Sequence, residues 1–161
     1  MRIREYQTQD CEHVKDLLVE LQEYVIEIDK YNLNIISAEY REKYFEYMLQ
    51  DCNNQSGKIF IAEDCGLVVG LVAGFVENYN ERDFLDYVCP KKGIVAELIV
   101  SKRLRSKGAG QLLLNEMEKY FKSIDCRYVQ LDVFAYNDIA KNFYRKNNYE
   151  ERMISLFKKL H

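Results

Sequence analysis

The chain has 161 residues, 48% of them hydrophobic and 30% charged, with one proline and seven glycines. That length suits a single domain, taken as residues 1–161, and the composition argues against a disordered or collagen-like chain. A formal net charge of −3 without a basic block argues against nucleic acid as a partner, and no run of about 18 apolar residues offers a membrane span.

Met1-Arg2-Ile3-Arg4-Glu5 lacks the apolar stretch of a secretory signal, so the expected location is cytoplasmic. The five cysteines form no C-x-x-C pair, and histidines stand only at 13 and 161. We therefore expect reduced, mostly buried thiols and no metal.

In chain order, Ile3–Tyr6 reads as a short strand. A helix follows from Cys11 to about Ile28, with Val14, Leu17, Leu18, Leu21 and Val25 on one face and Asp10 as N-cap. Glu20, Glu23, Glu27 and Asp29 form either an acidic wall for a cationic ligand or a solvated face. A second helix spans about Ala38–Leu49. Lys58–Glu63 and Leu67–Val76 read as a hairpin around the turn Asp64-Cys65-Gly66. Residues 78–92 form a long polar and aromatic connection.

Ile94–Val100 is nearly continuously apolar, the pattern of a central strand covered on both faces. After a loop, a helix runs to about Lys122 with Leu112, Leu113, Met117, Tyr120 and Phe121 on its apolar face. Tyr128–Phe134 reads as a strand and Ile139–Lys146 as a helix, capped by Asn137-Asp138 and ended by Asn147-Asn148. Glu151–Lys159 reads as a last strand. These elements imply one mixed sheet with helices on both faces.

The most informative segment is Arg105-Ser106-Lys107-Gly108-Ala109-Gly110, set between the central strand and an amphipathic helix. Glycines admit a tight turn and close approach of a ligand. The helix start adds free N–H groups and partial positive charge, which suit a phosphate or pyrophosphate. A P-loop is excluded because Lys107 precedes Gly108 and Gln111 follows Gly110, and a dinucleotide fingerprint is excluded because position 113 is Leu. The pattern also fits an ordinary strand-to-helix turn.

A second motif, Asn137-Asp138-Ile139-Ala140-Lys141-Asn142-Phe143-Tyr144-Arg145-Lys146-Asn147-Asn148-Tyr149, follows. Together the two segments resemble the GNAT superfamily of N-acetyltransferases, with Asn148 where the family usually has glycine. The resemblance in element order covers the whole chain, but its specific residues lie in 94–160. It implies the acyl-CoA N-acyltransferase fold, an α/β fold with a single mixed, largely antiparallel sheet of six to seven strands. It also implies that Arg105, Ser106, Lys107, Gly108, Ala109 and Gly110 bind the coenzyme pyrophosphate. The strand backbone at Leu98, Ile99 and Val100, together with Asn137, would hold the pantetheine arm, and Tyr144 would protonate the leaving thiolate.

Glu97 interrupts the apolar central strand, where burying a carboxylate is costly unless it is paired or functional. In the resemblance it takes the amine proton or binds the amine. A structural ion pair with a Lys or Arg is the other reading. The expected activity is acetyl transfer from acetyl-CoA to a primary amine by direct attack, with a small-molecule amine favoured. A protein N-terminus or lysine as acceptor, and a non-catalytic acyl-CoA-binding domain, are the alternatives. Monomer and homodimer both stay open.

Overall fold

The computed structural model describes residues 1–105 and 107–160. Its elements in chain order are β1 (Arg2–Glu5), α1 (Cys11–Ile28), α2 (Tyr40–Asn54), β2 (Lys58–Asp64), β3 (Leu67–Val76), β4 (Lys92–Val100), α3 (Ala109–Ser123), β5 (Tyr128–Gln130) and α4 (Asp138–Lys146). The strands form one open sheet in the order β1-β2-β3-β4-β5. Neighbours are antiparallel except β4 and β5, which are parallel.

The strands read as apolar runs because both faces of the sheet are covered. Val14, Leu17 and Leu18 of α1, with Phe45, Met48 and Cys52 of α2, pack against Ile59, Ile61, Leu71, Ala73 and Ile99 on one face. On the other, Ala109, Leu113, Leu114, Met117 and Phe121 of α3 pack against Phe60, Ala62, Val69, Val72 and Val95, with α4 alongside through Phe143 and Tyr144. Each fully buried large apolar side chain stabilises by about 1.5–3 kcal/mol. α3 buries Leu113, Leu114, Met117 and Phe121, and leaves Leu112 exposed. Its apolar stripe is therefore rotated from the expected one.

Several turns follow the expected chemistry. Cys65 (φ 50°) and Gly66 (φ 80°) form the left-handed hairpin turn between β2 and β3. Asn148 holds φ 62° after α4, the conformation that ends a helix. Asn137 caps α4, its Oδ1 accepting the Ala140 N–H at 3.0 Å. Asp10 does not cap α1 in the expected way. Its carboxylate accepts two bonds from Arg4, at 2.7 and 2.8 Å, and one from the Gln7 N–H at 2.8 Å.

The sheet has five strands among the described residues, not six to seven. One expected strand, 151–159, is missing, and another, 128–134, is shortened to β5. The run 128–134 leaves the ladder after Gln130, because β5 diverges from β4 there. Residues 151–160 form no strand and are exposed. Their contacts are not a strand ladder: the Phe157 carbonyl accepts the Tyr31 hydroxyl at 3.0 Å, the Phe157 ring meets Tyr31 edge-on at 4.8 Å, and the Arg152 guanidinium lies over the Tyr87 ring at 5.3 Å. An alternating pattern becomes a strand only where a sheet edge is within reach. Cys52 is the buried cysteine, Cys65 is exposed and the other three are half-buried, so the thiols are less buried than expected.

Candidate functional site

β5 pairs with β4 over three residues, Lys92 to Ile94. From Val95 to Val100, β4 keeps β3 on one side and has no strand on the other among the described residues. The sheet therefore opens as a wedge, and along one wall no strand pairs with the β4 backbone. A contact crosses the region: the Tyr24 hydroxyl of α1 donates to Asn137 Oδ1 of α4 at 3.3 Å, although the two helices cover opposite faces.

A β-bulge sits at the start of the opening. Ala73 pairs with Glu97 and Gly74 with Val95, leaving Ala96 as the extra residue. A Cβ on Gly74 would lie 2.6 Å from the Ile94 carbonyl oxygen, so the bulge needs glycine there. Strict alternation would put Val95, Glu97 and Ile99 on one face. Instead Val95 packs under α3, while Ile99 packs under α1 and α2. The bulge has moved Glu97 off the α3 core and onto the α2 side.

There the Tyr44 hydroxyl donates a hydrogen bond to Glu97 Oε1. Tyr40, one turn earlier on α2, stacks on the Tyr44 ring with centroids 4.8 Å apart and planes 18° apart. Burial pushes the Glu97 carboxyl up to about 7, against the hydrogen bond from Tyr44, which favours the charged form. Burial and then the Glu97 charge push Tyr144 up to about 12, and the same two causes raise Tyr40 and Tyr44. Glu97, Tyr40, Tyr44 and Tyr144 thus share one electrostatic environment. No Lys or Arg pairs with Glu97 among the described residues, so the structural ion pair is absent there.

Tyr144 is half-buried, its ring edge-on to Phe143 at 5.2 Å and to Tyr149 at 5.7 Å. Phe143 and Tyr144 both pack against the α3 layer.

At the far end of β4, Gly108 holds φ 85° and begins α3, its carbonyl accepting the Leu112 N–H at 3.1 Å. A Cβ at Gly108 would meet nothing within 4 Å, whereas one at Gly110 would face the Phe143 ring at 3.7 Å. Gly108 is therefore the glycine with open space before it. Ala109 is buried and Lys107 exposed. Ser106 lies outside the described residues. Arg105 donates from Nε to the Val100 carbonyl at 3.0 Å, approaches Glu20 at 3.5 Å and lies over the Tyr24 ring at 5.3 Å.

The acidic residues of α1 do not form one wall. Glu20 accepts the Lys102 N–H at 2.8 Å, and Asp29 accepts the backbone N–H groups of Tyr31, Leu33 and Asn34 in a turn. In the 78–92 connection, Tyr79 and Tyr87 each lie 5.9 Å from Lys92 Nζ, which also pairs with Glu77 at 2.6 Å and Gln130 at 2.7 Å. A separate shallow depression, lined in part by Glu118, Arg127, Tyr128 and Tyr149, includes none of the site residues. Sequence reasoning missed Tyr24, Tyr40 and Tyr44. The i,i+4 spacing of Tyr40 and Tyr44 was the available signal, lost among 13 tyrosines.

The model of the Acetyltransferase (GNAT) family matches residues 21–149. The chain belongs to this family. Two uncharacterized N-acetyltransferases of Methanocaldococcus jannaschii are similar to this GNAT chain. One is 31% identical over 96 residues, covering 59% of this chain and 54% of the relative; the other is 27% identical over 114 residues, covering 69% and 46%. The match therefore spans about half the length of these curated relatives. A crystal structure of a mutant Bacillus halodurans protein shares the fold, with TM-score 0.86 at 18% identity and full coverage of both chains. So does an aminoglycoside N-acetyltransferase in complex with CoA, with TM-score 0.70 at 17% identity and 99% coverage of both.

Proposed function

We propose that the chain is a single-domain, acetyl-CoA-dependent N-acetyltransferase that acetylates a primary amine by direct attack, with a small-molecule amine such as a polyamine or aminoglycoside as acceptor. The observation that carries this reading is the half-buried Glu97 carboxylate at the mouth of the opening between β4 and β5, bonded by the Tyr44 hydroxyl and sharing its environment with Tyr144. The aminoglycoside N-acetyltransferase of like fold supports a small amine.

The residues fit an acyl-CoA. The start of α3 offers unpaired N–H groups and partial positive charge, Gly108 leaves open space there, and Arg105 and Lys107 add charge for a pyrophosphate. The open backbone edge at Leu98, Ile99 and Val100 supplies groups for pantetheine amides, as does Asn137, which Tyr24 of α1 bonds. Acetyl-CoA supplies the thioester.

A primary ammonium must lose a proton before it can attack. A carboxyl that titrates near 7 is half ionised at neutrality and can take that proton. A β4 N–H directed at the carbonyl oxygen would steady the developing oxyanion. The C–N bond forms as the C–S bond breaks, and the second proton on the nitrogen passes to solvent. Tyr144, raised to about 12, keeps its proton at neutral pH until the sulfur leaves, and donates it then. Solvent restores both groups.

The test is a thiol-release assay over polyamines, aminoglycosides, amino acids and peptides, beside isothermal titration with CoA. Thiol release with one class of small amine is expected. CoA binding with no turnover on any amine would make the chain a binding domain, and no CoA binding would remove the reading altogether.

A further inference from the structure

We propose that Tyr44 is a positioning residue for the proton acceptor: its hydroxyl fixes the Glu97 carboxylate at the open edge of β4, and Tyr40, stacked on its ring, fixes that hydroxyl. This rests on the proposed transferase reading and adds to it a part supplied by α2.

The bulge at Ala96 turns Glu97 toward α2, and a carboxylate arriving there needs a donor, because a buried charge without one is costly. Tyr44 bonds it from α2, and Tyr40 of α2 and Tyr144 of α4 feel its charge. None is cationic. Tyr44 is the hydrogen-bonding one. A neutral donor differs from a Lys or Arg in a useful way. It orients the carboxylate and moderates its proton affinity without pinning it in the charged form, so the carboxyl can still accept and release a proton near neutrality.

The Tyr40 ring adds rigidity. Its centroid lies 4.8 Å from that of Tyr44 at 18° between planes, on the same side of α2 by i,i+4 spacing. A tyrosine so stacked has little freedom to swing its hydroxyl away from one acceptor oxygen.

Tyr44→Phe keeps the ring and the stack and removes the donor. The bond favours the charged carboxylate, so its loss raises the carboxyl's affinity for a proton, and the acid limb of kcat/KM moves to higher pH by about one to two units. Activity is depressed most near pH 6 and recovers as pH rises. Tyr40→Phe leaves the limb in place, whereas Tyr40→Ala moves it in the same direction by less. A carbon-13 titration of the Glu97 carboxylate, assigned with Glu97→Gln, follows the same midpoint without using activity.

A Tyr44→Phe midpoint equal to wild type overturns the proposal whatever the activity. A shifted midpoint with an unmoved kinetic limb also overturns it, since Tyr44 then holds Glu97 for the fold alone. A wild type whose Glu97 titrates near 7 but which acetylates no amine instead fails the proposed function, and Tyr44 loses its role with it.

Discussion

β4 contains two strands' worth of behaviour. Its first part, Lys92 to Ile94, is paired on both sides. Lys92 is buried between Glu77 and Gln130, and Gly93 lies directly against the Phe121 ring. Its second part, Val95 to Val100, is paired with β3 alone and carries the bulge, Glu97 and the open backbone edge. Both parts belong to one strand, and the difference lies in what the neighbour does. Where β5 stays, backbone groups serve the fold. Where β5 leaves, they are free to serve a ligand. Substitutions in the closed part should cost stability and spare chemistry, and those around the open part should do the reverse.

The largest effect is expected at Tyr144. Tyr144→Phe should cut turnover by roughly 10²–10⁴ while CoA affinity, read by isothermal titration, stays near wild type. Near-normal turnover would return Tyr144 to packing and leave the open part without its acid.

Glu97→Gln should separate the two economies within one residue. It removes the proton acceptor and keeps a group that Tyr44 can bond, so the acid limb of the pH–rate profile should vanish. Stability should move the other way. A carboxyl raised from 4.5 to about 7 binds more protons in the folded state than in the unfolded state. Wild-type stability therefore falls as pH rises through that window and stays lower above it, by on the order of 3 kcal/mol. Glu97→Gln should melt higher than wild type at pH 8, with the gap closing toward pH 4.5. A lower melting temperature at pH 8 would mean that the carboxylate supports the fold.

How much of this was legible in the sequence follows the same division. The turn at Arg105–Gly110, the cap at Asn137 and the left-handed Asn148 are local devices, so residue type and spacing disclosed them. The central run Ile94–Val100 disclosed a doubly covered strand. The family resemblance implies a bulge in this strand, but its position at Ala96 was hidden, because an extra residue in a run of apolar side chains leaves the composition unchanged. Without the bulge, the face of Glu97 cannot be assigned, and Tyr44 has no reason to stand out from the other tyrosines. The strand count failed for a related reason. Tyr128–Phe134 and Glu151–Lys159 have strand chemistry, but pairing depends on an edge whose position is set by the rest of the fold. On α3, Leu112, Leu113 and Leu114 are adjacent, and tertiary packing selects the latter two.

Gly93→Ala tests the closed part. The new Cβ would lie 2.5 Å from the Phe121 ring, a rigid neighbour buried in the core. Overpacking of this kind typically costs about 1–3 kcal/mol. Chemical denaturation should show that loss, while kcat and the pH limbs of the folded fraction stay as in wild type. A changed acid limb in this variant would couple the two parts of β4 and break the division.

The smallest effects on stability should come from the two glycines of the α3 turn, and they should differ. Gly108 holds φ 85°, so Gly108→Ala carries a left-handed penalty of about 1–2 kcal/mol. Its methyl would also point into the open space before the helix, where a pyrophosphate would have to approach. Gly110 has no such backbone demand, and a Cβ there makes ordinary contact with Phe143 and Val100 at 3.7–3.8 Å. Gly110→Ala should therefore be neutral or stabilising by up to about 1 kcal/mol, because alanine loses less backbone entropy in a helix. Thermal shift with CoA separates the roles: it should be lost in Gly108→Ala and kept in Gly110→Ala. Loss in both would mean that the ligand crosses the second glycine too. Retention in both would mean that the turn is a strand-to-helix joint and nothing more, and the open wall of β4 would then have to bind its ligand without a phosphate anchor.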